Sequence, residues 1–169
     1  MPTTFASFLR PTYSKYLGKI GKLSTALVIS FASLTHMPAR ADNNYFGIHG
    51  PSYHDGGDFN NANYGLYFVH RGLTGGFYDN SLNRNTFYLG YAWEWDLPVN
   101  PVVDSISLMA SAATGYYTRD TPYEYAPMGA LSFKHGFGRQ QGLRLSYLPV
   151  YGKSQASYVL HLSYEYTLK

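Results

Sequence analysis

From Thr86 to Trp95 the chain reads Thr-Phe-Tyr-Leu-Gly-Tyr-Ala-Trp-Glu-Trp, and apolar residues recur at every second position. Side chains alternate sides along a strand. Phe87, Leu89, Tyr91, Trp93 and Trp95 therefore share one face, and Thr86, Tyr88, Gly90, Ala92 and Glu94 share the other. The first face is wholly apolar; the second is small or polar and carries a carboxylate. A soluble sandwich buries its apolar face under a second sheet, whereas a membrane barrel turns it to lipid and keeps the polar face inside. The C-terminal segment repeats the pattern. Tyr158, Leu160, Leu162, Tyr164, Tyr166 and Leu168 alternate with Val159, His161, Ser163, Glu165 and Thr167. An apolar row of that length on a soluble edge strand would invite aggregation, so closure of the sheet is the more economical reading. Lys169 follows the last apolar residue, where such barrels usually stop on an aromatic.

After Ala41 period two dominates, and Gly, Asn, Asp and Pro clusters separate the runs. The pattern predicts eight strands near 44–49, 62–70, 73–79, 85–95, 104–114, 128–136, 142–149 and 157–168. The fold expected is all-β, an eight-stranded antiparallel transmembrane β-barrel. A spanning strand needs roughly 9–11 residues, so the first and third runs should borrow from their loops. Connections 50–61, 80–84, 115–127 and 150–156 would then lie at the external end, and turns 71–72, 96–103 and 137–141 at the periplasmic end. Pro51, Pro98, Pro101, Pro122, Pro127 and Pro149 are expected in loops or at strand ends, since proline cannot donate to a ladder.

Residues 1–41 read as a cleaved export signal. Arg10, Lys15, Lys19 and Lys22 form a basic n-region, Leu23 to Met37 an apolar run, and Ala39-Arg40-Ala41 a small-x-small cleavage site. The working domain would be 42–169. The signal holds five of the 13 lysines and arginines and none of the 10 acids, so eight bases face ten acids in the rest, a net charge of −2. The basic pI of the whole chain thus belongs to the signal, and the clustered bases of a nucleic-acid footprint are missing. With no cysteine there is neither a disulfide nor a thiolate metal site.

The inward positions collect a polar set: Glu94, Ser107, Arg144, Ser146, His161, Ser163 and Glu165. An eight-stranded barrel is just wide enough to be filled by side chains, and Arg144 between Glu94 and Glu165 would form a satisfied ion cluster. Small inward residues Gly90, Ala92, Ser111 and Ala113 would leave an interior slot unless Tyr88, Met109 and their neighbours fill it. His70 and His135 fall at the periplasmic ends of strands. His49 and His54 flank the first external loop, and Asp79-Asn80-Ser81-Leu82-Asn83 makes the second. Loops at one end of a barrel converge, so a histidine, a serine and a carboxylate could meet at the rim. That trio suits acyl transfer: imidazole takes the hydroxyl proton, the carboxylate orients it, and serine or backbone donors steady the oxyanion. The same Ser, Asn, Asp and Gly also make any polar loop. His49 and His54 with Asp55 and Asp58 could instead hold a cation, though their spacing matches no recognised ligand set.

Phe77-Tyr78-Asp79-Asn80-Ser81-Leu82-Asn83, followed by Leu89-Gly90-Tyr91-Ala92-Trp93-Glu94, resembles the lipid A palmitoyltransferase (PagP-type) family. Thr118-Arg119-Asp120 with the loop to Pro127, and Leu145-Ser146-Tyr147-Leu148-Pro149, extend the resemblance over most of 64–168. It implies transfer of a palmitoyl chain from a phospholipid to lipid A. The family's serine maps onto Ser81 and its histidine onto His54 or, alternatively, His49. Its aspartate maps onto Asn80, an amide, so Asp79 would have to supply the carboxylate. The family also has an amphipathic helix before the first strand, where this sequence has only Asp42 to Asn44. The expectation is a monomeric outer-membrane lipid A acyltransferase-like enzyme using His54, Ser81 and Asp79, with no cofactor and no metal. A non-enzymatic surface or adhesion scaffold is the second reading. A soluble lipocalin-like carrier is the third, and it fails if the aromatic faces point outward.

Overall fold

The computed structural model describes Ala39 and residues 44–97, 100–116, 125–150 and 156–168. The export-signal reading, Pro98, Pro122 and the Thr118-Arg119-Asp120 motif lie outside these. Eight strands, β1 (Asn44–His54), β2 (Ala62–His70), β3 (Leu73–Asp79), β4 (Asn85–Asp96), β5 (Ser105–Thr114), β6 (Tyr125–Gly136), β7 (Gln141–Pro149) and β8 (Tyr158–Thr167), form a closed antiparallel barrel in chain order. The seam is β1 against β8, with Tyr45 opposite Thr167 and Ile48 opposite Tyr164. Among the described residues there is no helix.

Period two set the walls as expected. Phe87, Leu89, Tyr91 and Trp93 are exposed outward, while Thr86, Tyr88, Ala92 and Glu94 are buried inside. Phe68, Phe77, Leu145 and Leu162 continue the exposed apolar surface around the barrel. The aromatic faces of β4 and β8 thus point away from the interior, which overturns the carrier reading. β2 and β3 are joined by two residues. In the 71–72 turn both residues have positive φ, 52° at Arg71 and 86° at Gly72, the backbone of a type I′ hairpin.

Two strands run further than their patterns suggested. β1 does not stop at His49 but continues to His54, and β6 begins at Tyr125 rather than 128. Pro51 and Pro127 are therefore strand residues, not loop residues. Pro51 is tolerated because the register shifts between His49 and Pro51 on the β2 side and between His49 and Ser52 on the β8 side. A bulge inserts an unpaired position and re-aims the residues beyond it. Pro127 lies where β6 pairs only with β5. The β6–β7 register ends at Leu131 opposite Tyr147, so Tyr125 to Ala130 have no partner positions on β7.

The interior has two layers. Toward the turn end Arg144 bridges Glu94 and Glu165: Nη2 lies 3.1 Å from Glu94 Oε2, and Nε donates to Glu165 Oε1. Lys134 Nζ reaches Glu165 Oε2 at 3.1 Å. Tyr67 donates to Glu165 at 2.7 Å, Ser105 to Glu94 at 2.6 Å, and Arg144 also donates to Ser107. The ion cluster expected from the sequence is thus present and gains Lys134. Two acids and two bases balance, and hydrogen bonds fill the remaining lone pairs, which burial of charge demands. Against this cluster packs an apolar one of Tyr45, Tyr67, Val69, Tyr88 and Ala113, extended by Tyr78, Met109, Tyr116 and Met128. These rings and thioethers pack around Ala113, while Gly90 and Ser111 are only half-buried. Gly47 makes room for this layer, since a Cβ there would sit 2.1 Å from the Tyr67 ring.

Candidate functional site

The loop that follows His54 hydrogen-bonds to the loop that carries Ser81. His54, the last residue of β1, pairs with Val159 and so faces inward at the rim. Its Nδ1 lies 2.7 Å from Asn61 Oδ1, and its ring stacks on Phe59 at 4.9 Å between centroids. An amide oxygen only accepts, so Nδ1 carries the proton and Nε2 is left as the acceptor. From the same loop, Asn60 N donates to Ser81 O at 3.0 Å, and Asn60 Nδ2 to Asn80 O at 3.3 Å. Neighbouring residues Asn60 and Asn61 thus tie Ser81 and His54 to one segment. The orienting group on His54 is Asn61, which the sequence reading missed. An amide three residues past Asp58 gives no signal distinguishing it from any loop asparagine.

Asp79 does not join them. It closes β3 with its side chain exposed, while its carbonyl accepts from Asn63 Nδ2 at 2.8 Å. Among the described residues no hydrogen bond or ion pair links Asp79 to His54 or Ser81. Asn80 is wholly buried and structural. Its Nδ2 donates to Thr86 Oγ1 and to Gly115 O, both at 3.0 Å, and its Oδ1 accepts from Leu82 N and Arg84 N. The amide that looked like a lost catalytic acid is what shapes the 80–84 turn.

His49 is not at the rim either. The bulge leaves it inside the wall, where its Nδ1 meets His161 Nε2 at 2.9 Å and its Nε2 meets Tyr88 Oη at 3.2 Å. His161 Nδ1 in turn meets Ser52 Oγ at 2.8 Å. His161 therefore belongs to this second constellation and not to the Arg144 cluster. The rings of Tyr67 and Tyr78 pack on His49 at 4.6 and 5.1 Å. Ser52 was invisible to a strict alternation. Counted from His49, period two points it outward, and only the bulge brings both inside.

Asp55, just past β1, accepts from Ser157 N at 2.6 Å and Tyr158 N at 3.1 Å, pinning the first loop to the start of β8. Desolvation pushes its carboxyl up, but the backbone N–H groups of Tyr158 and Ser157 outweigh that and hold it below its ordinary value. His49, His54 and Asp55 are thus committed to different partners. Among the described residues no three His, Asp or Glu side chains converge as a metal-binding set. No protein-family model matches the chain, and no curated protein matches it.

Proposed function

We propose that this barrel resides in a bacterial outer membrane and moves an acyl chain from a phospholipid to lipid A. The observation that carries the reading is that Asn60 and Asn61, neighbours in one loop, hold the Ser81 backbone and the His54 ring respectively, with His54 Nε2 open as a base. The lipid setting is supported by the outward apolar surface and the charged interior, the arrangement a bilayer favours. A continuous aromatic exterior of this extent has no place on a soluble monomer. The short β6–β7 ladder gives a lipid chain a place to approach the interior from the side, next to Met128 and Ala130. Asn61 takes the orienting role first given to Asp79, and no cofactor is called for.

The test is mass spectrometry of lipid A from cells expressing this chain, His54→Ala or Ser81→Ala. One added palmitoyl mass that disappears in the variants is the expected result. Unchanged lipid A, with the barrel folded in the outer membrane, favours the second reading of a non-enzymatic surface scaffold. The aromatic cluster inside the barrel and the fully bonded Asn80 are the observations on that side. Quenching of Trp93 fluorescence by brominated phospholipids tests the membrane placement by itself.

A further inference from the structure

We propose that Ser52 is a nucleophile that carries the acyl group covalently, with His161 as its base and His49 as the residue that positions His161; this rests on the acyl-transfer reading above. The chain Ser52–His161–His49–Tyr88 is continuous at 2.8, 2.9 and 3.2 Å. Each imidazole nitrogen in it has one partner, so the two tautomers are linked to one another. With Ser52 donating to His161 Nδ1, His161 Nε2–H donates to His49 Nδ1, and His49 Nε2–H donates to Tyr88 Oη. That is the order in which a serine is activated: its hydroxyl is held by a base, and the base is held by a third group. Either imidazole nitrogen can serve as the base once the other is occupied.

A packing role would be met by two apolar residues with no hydrogen-bond chain. Instead the fold uses a bulge and a proline in β1 to bring Ser52 opposite His161.

The steps balance without a co-reactant. Ser52 Oγ attacks the ester carbonyl of a glycerophospholipid, and its proton passes to His161 Nδ1. The acyl–oxygen bond to glycerol breaks, His161 returns the proton to the glycerol oxygen, and a lysophospholipid leaves. A hydroxyl of the acceptor then attacks acyl-Ser52 and gives up its proton to His161, which passes it to Ser52 Oγ as the acyl–serine bond breaks. Serine is regenerated as its proton returns.

The experiment uses the whole barrel in detergent micelles and a long-chain alkyl fluorophosphonate, which bonds to activated serine oxygen with loss of fluoride. Peptide mass spectrometry should find the adduct on Ser52, absent in Ser52→Ala. His161→Gln should slow labelling about 100-fold, the scale of general-base catalysis. His49→Phe should slow it too, and His49→Gln, which can still bond to His161 Nε2, should restore part of the rate. Folding of each variant is checked by resistance to SDS without heating. A folded barrel with no adduct on Ser52, or with the adduct on Ser81 instead, overturns the proposal. Lipid A from cells expressing Ser52→Ala separates this proposal from the reading it rests on. If both wild type and Ser52→Ala add an acyl chain, the proposal fails and acyl transfer stands. If Ser52 is labelled but wild type leaves lipid A unchanged, the nucleophile stands and lipid A as acceptor fails.

Discussion

Lys134 and Arg144 face each other directly across the β6–β7 ladder, two cations side by side, and both reach the wholly buried Glu165. Like charges placed opposite one another destabilise a sheet, so the carboxylate is what makes the pair tolerable. Glu165→Gln keeps the shape and removes the charge, leaving two buried cations with Glu94 alone. The expected cost is about 3–5 kcal/mol, as for breaking a buried ion pair, read from the shift in the urea midpoint in micelles. Adding Lys134→Met should recover part of that loss, because Arg144 and Glu94 then match. A purely additive double mutant would show that the two cations do not couple through Glu165.

Restoring the carboxylate that the family resemblance implies should harm the protein. Thr86 uses its hydroxyl proton on Thr114 O at 3.0 Å, so toward residue 80 it can only accept. Asn80→Asp would set an anionic oxygen against Thr86 Oγ1 and the Gly115 carbonyl, with no donor for it. A loss of about 1–3 kcal/mol is expected from unsatisfied buried groups. Thermal unfolding measures it. Unchanged stability together with new activity would mean that the turn is not what Asn80 serves.

The Asp55 latch should open in acid. Its folded carboxyl lies below its ordinary value, so it binds its proton less readily folded than unfolded. Its contribution to stability is therefore complete above the unfolded carboxylate value and is lost as pH falls through the folded one. Hydrogen exchange at the Ser157 and Tyr158 amides should speed up over that interval. In Asp55→Asn the same amides should exchange faster at neutral pH and show no such step.

A charge on the outer wall separates bilayer from detergent. Leu89 is 60 % exposed midway along β4. Leu89→Arg should cost about 2–4 kcal/mol when the barrel folds into phospholipid vesicles, the value for a basic residue near the bilayer midplane. In urea titrations from vesicles the equilibrium should move by that amount. An effect near zero would argue that Leu89 does not face hydrocarbon.

The barrel itself was legible because outward and inward residues alternate without interruption through β4 and β8. Arg144, Glu94 and Glu165 could be placed together for the same reason, since inward position and opposite charge leave few other arrangements. The candidate site was harder to read. Ser52 hides behind a bulge, and a bulge changes which face a residue takes without changing the composition that announces it. Asn80 looked like a substituted catalytic acid because sequence gives identity, not the four hydrogen bonds that occupy the side chain. Asp79 was placed near His54 by loop proximity, yet the strand parity of β3 turns it outward. Asn61 carried no mark at all, because its role depends on the distance to one ring.

The seam between β1 and β8 has a consequence in time. Every other ladder joins neighbours that emerge one after the other, so hairpins can zip locally as the chain appears. The seam joins the first strand to the last, and until β8 arrives β1 is an open edge with its backbone groups bare. Its partner residues, Tyr45 and Thr167 among them, lie far apart in the sequence, and such non-local pairings slow folding. The histidine chain straddles that seam, with His49 and Ser52 on one side and His161 on the other. Any chemistry that chain performs therefore begins only when the circle is complete.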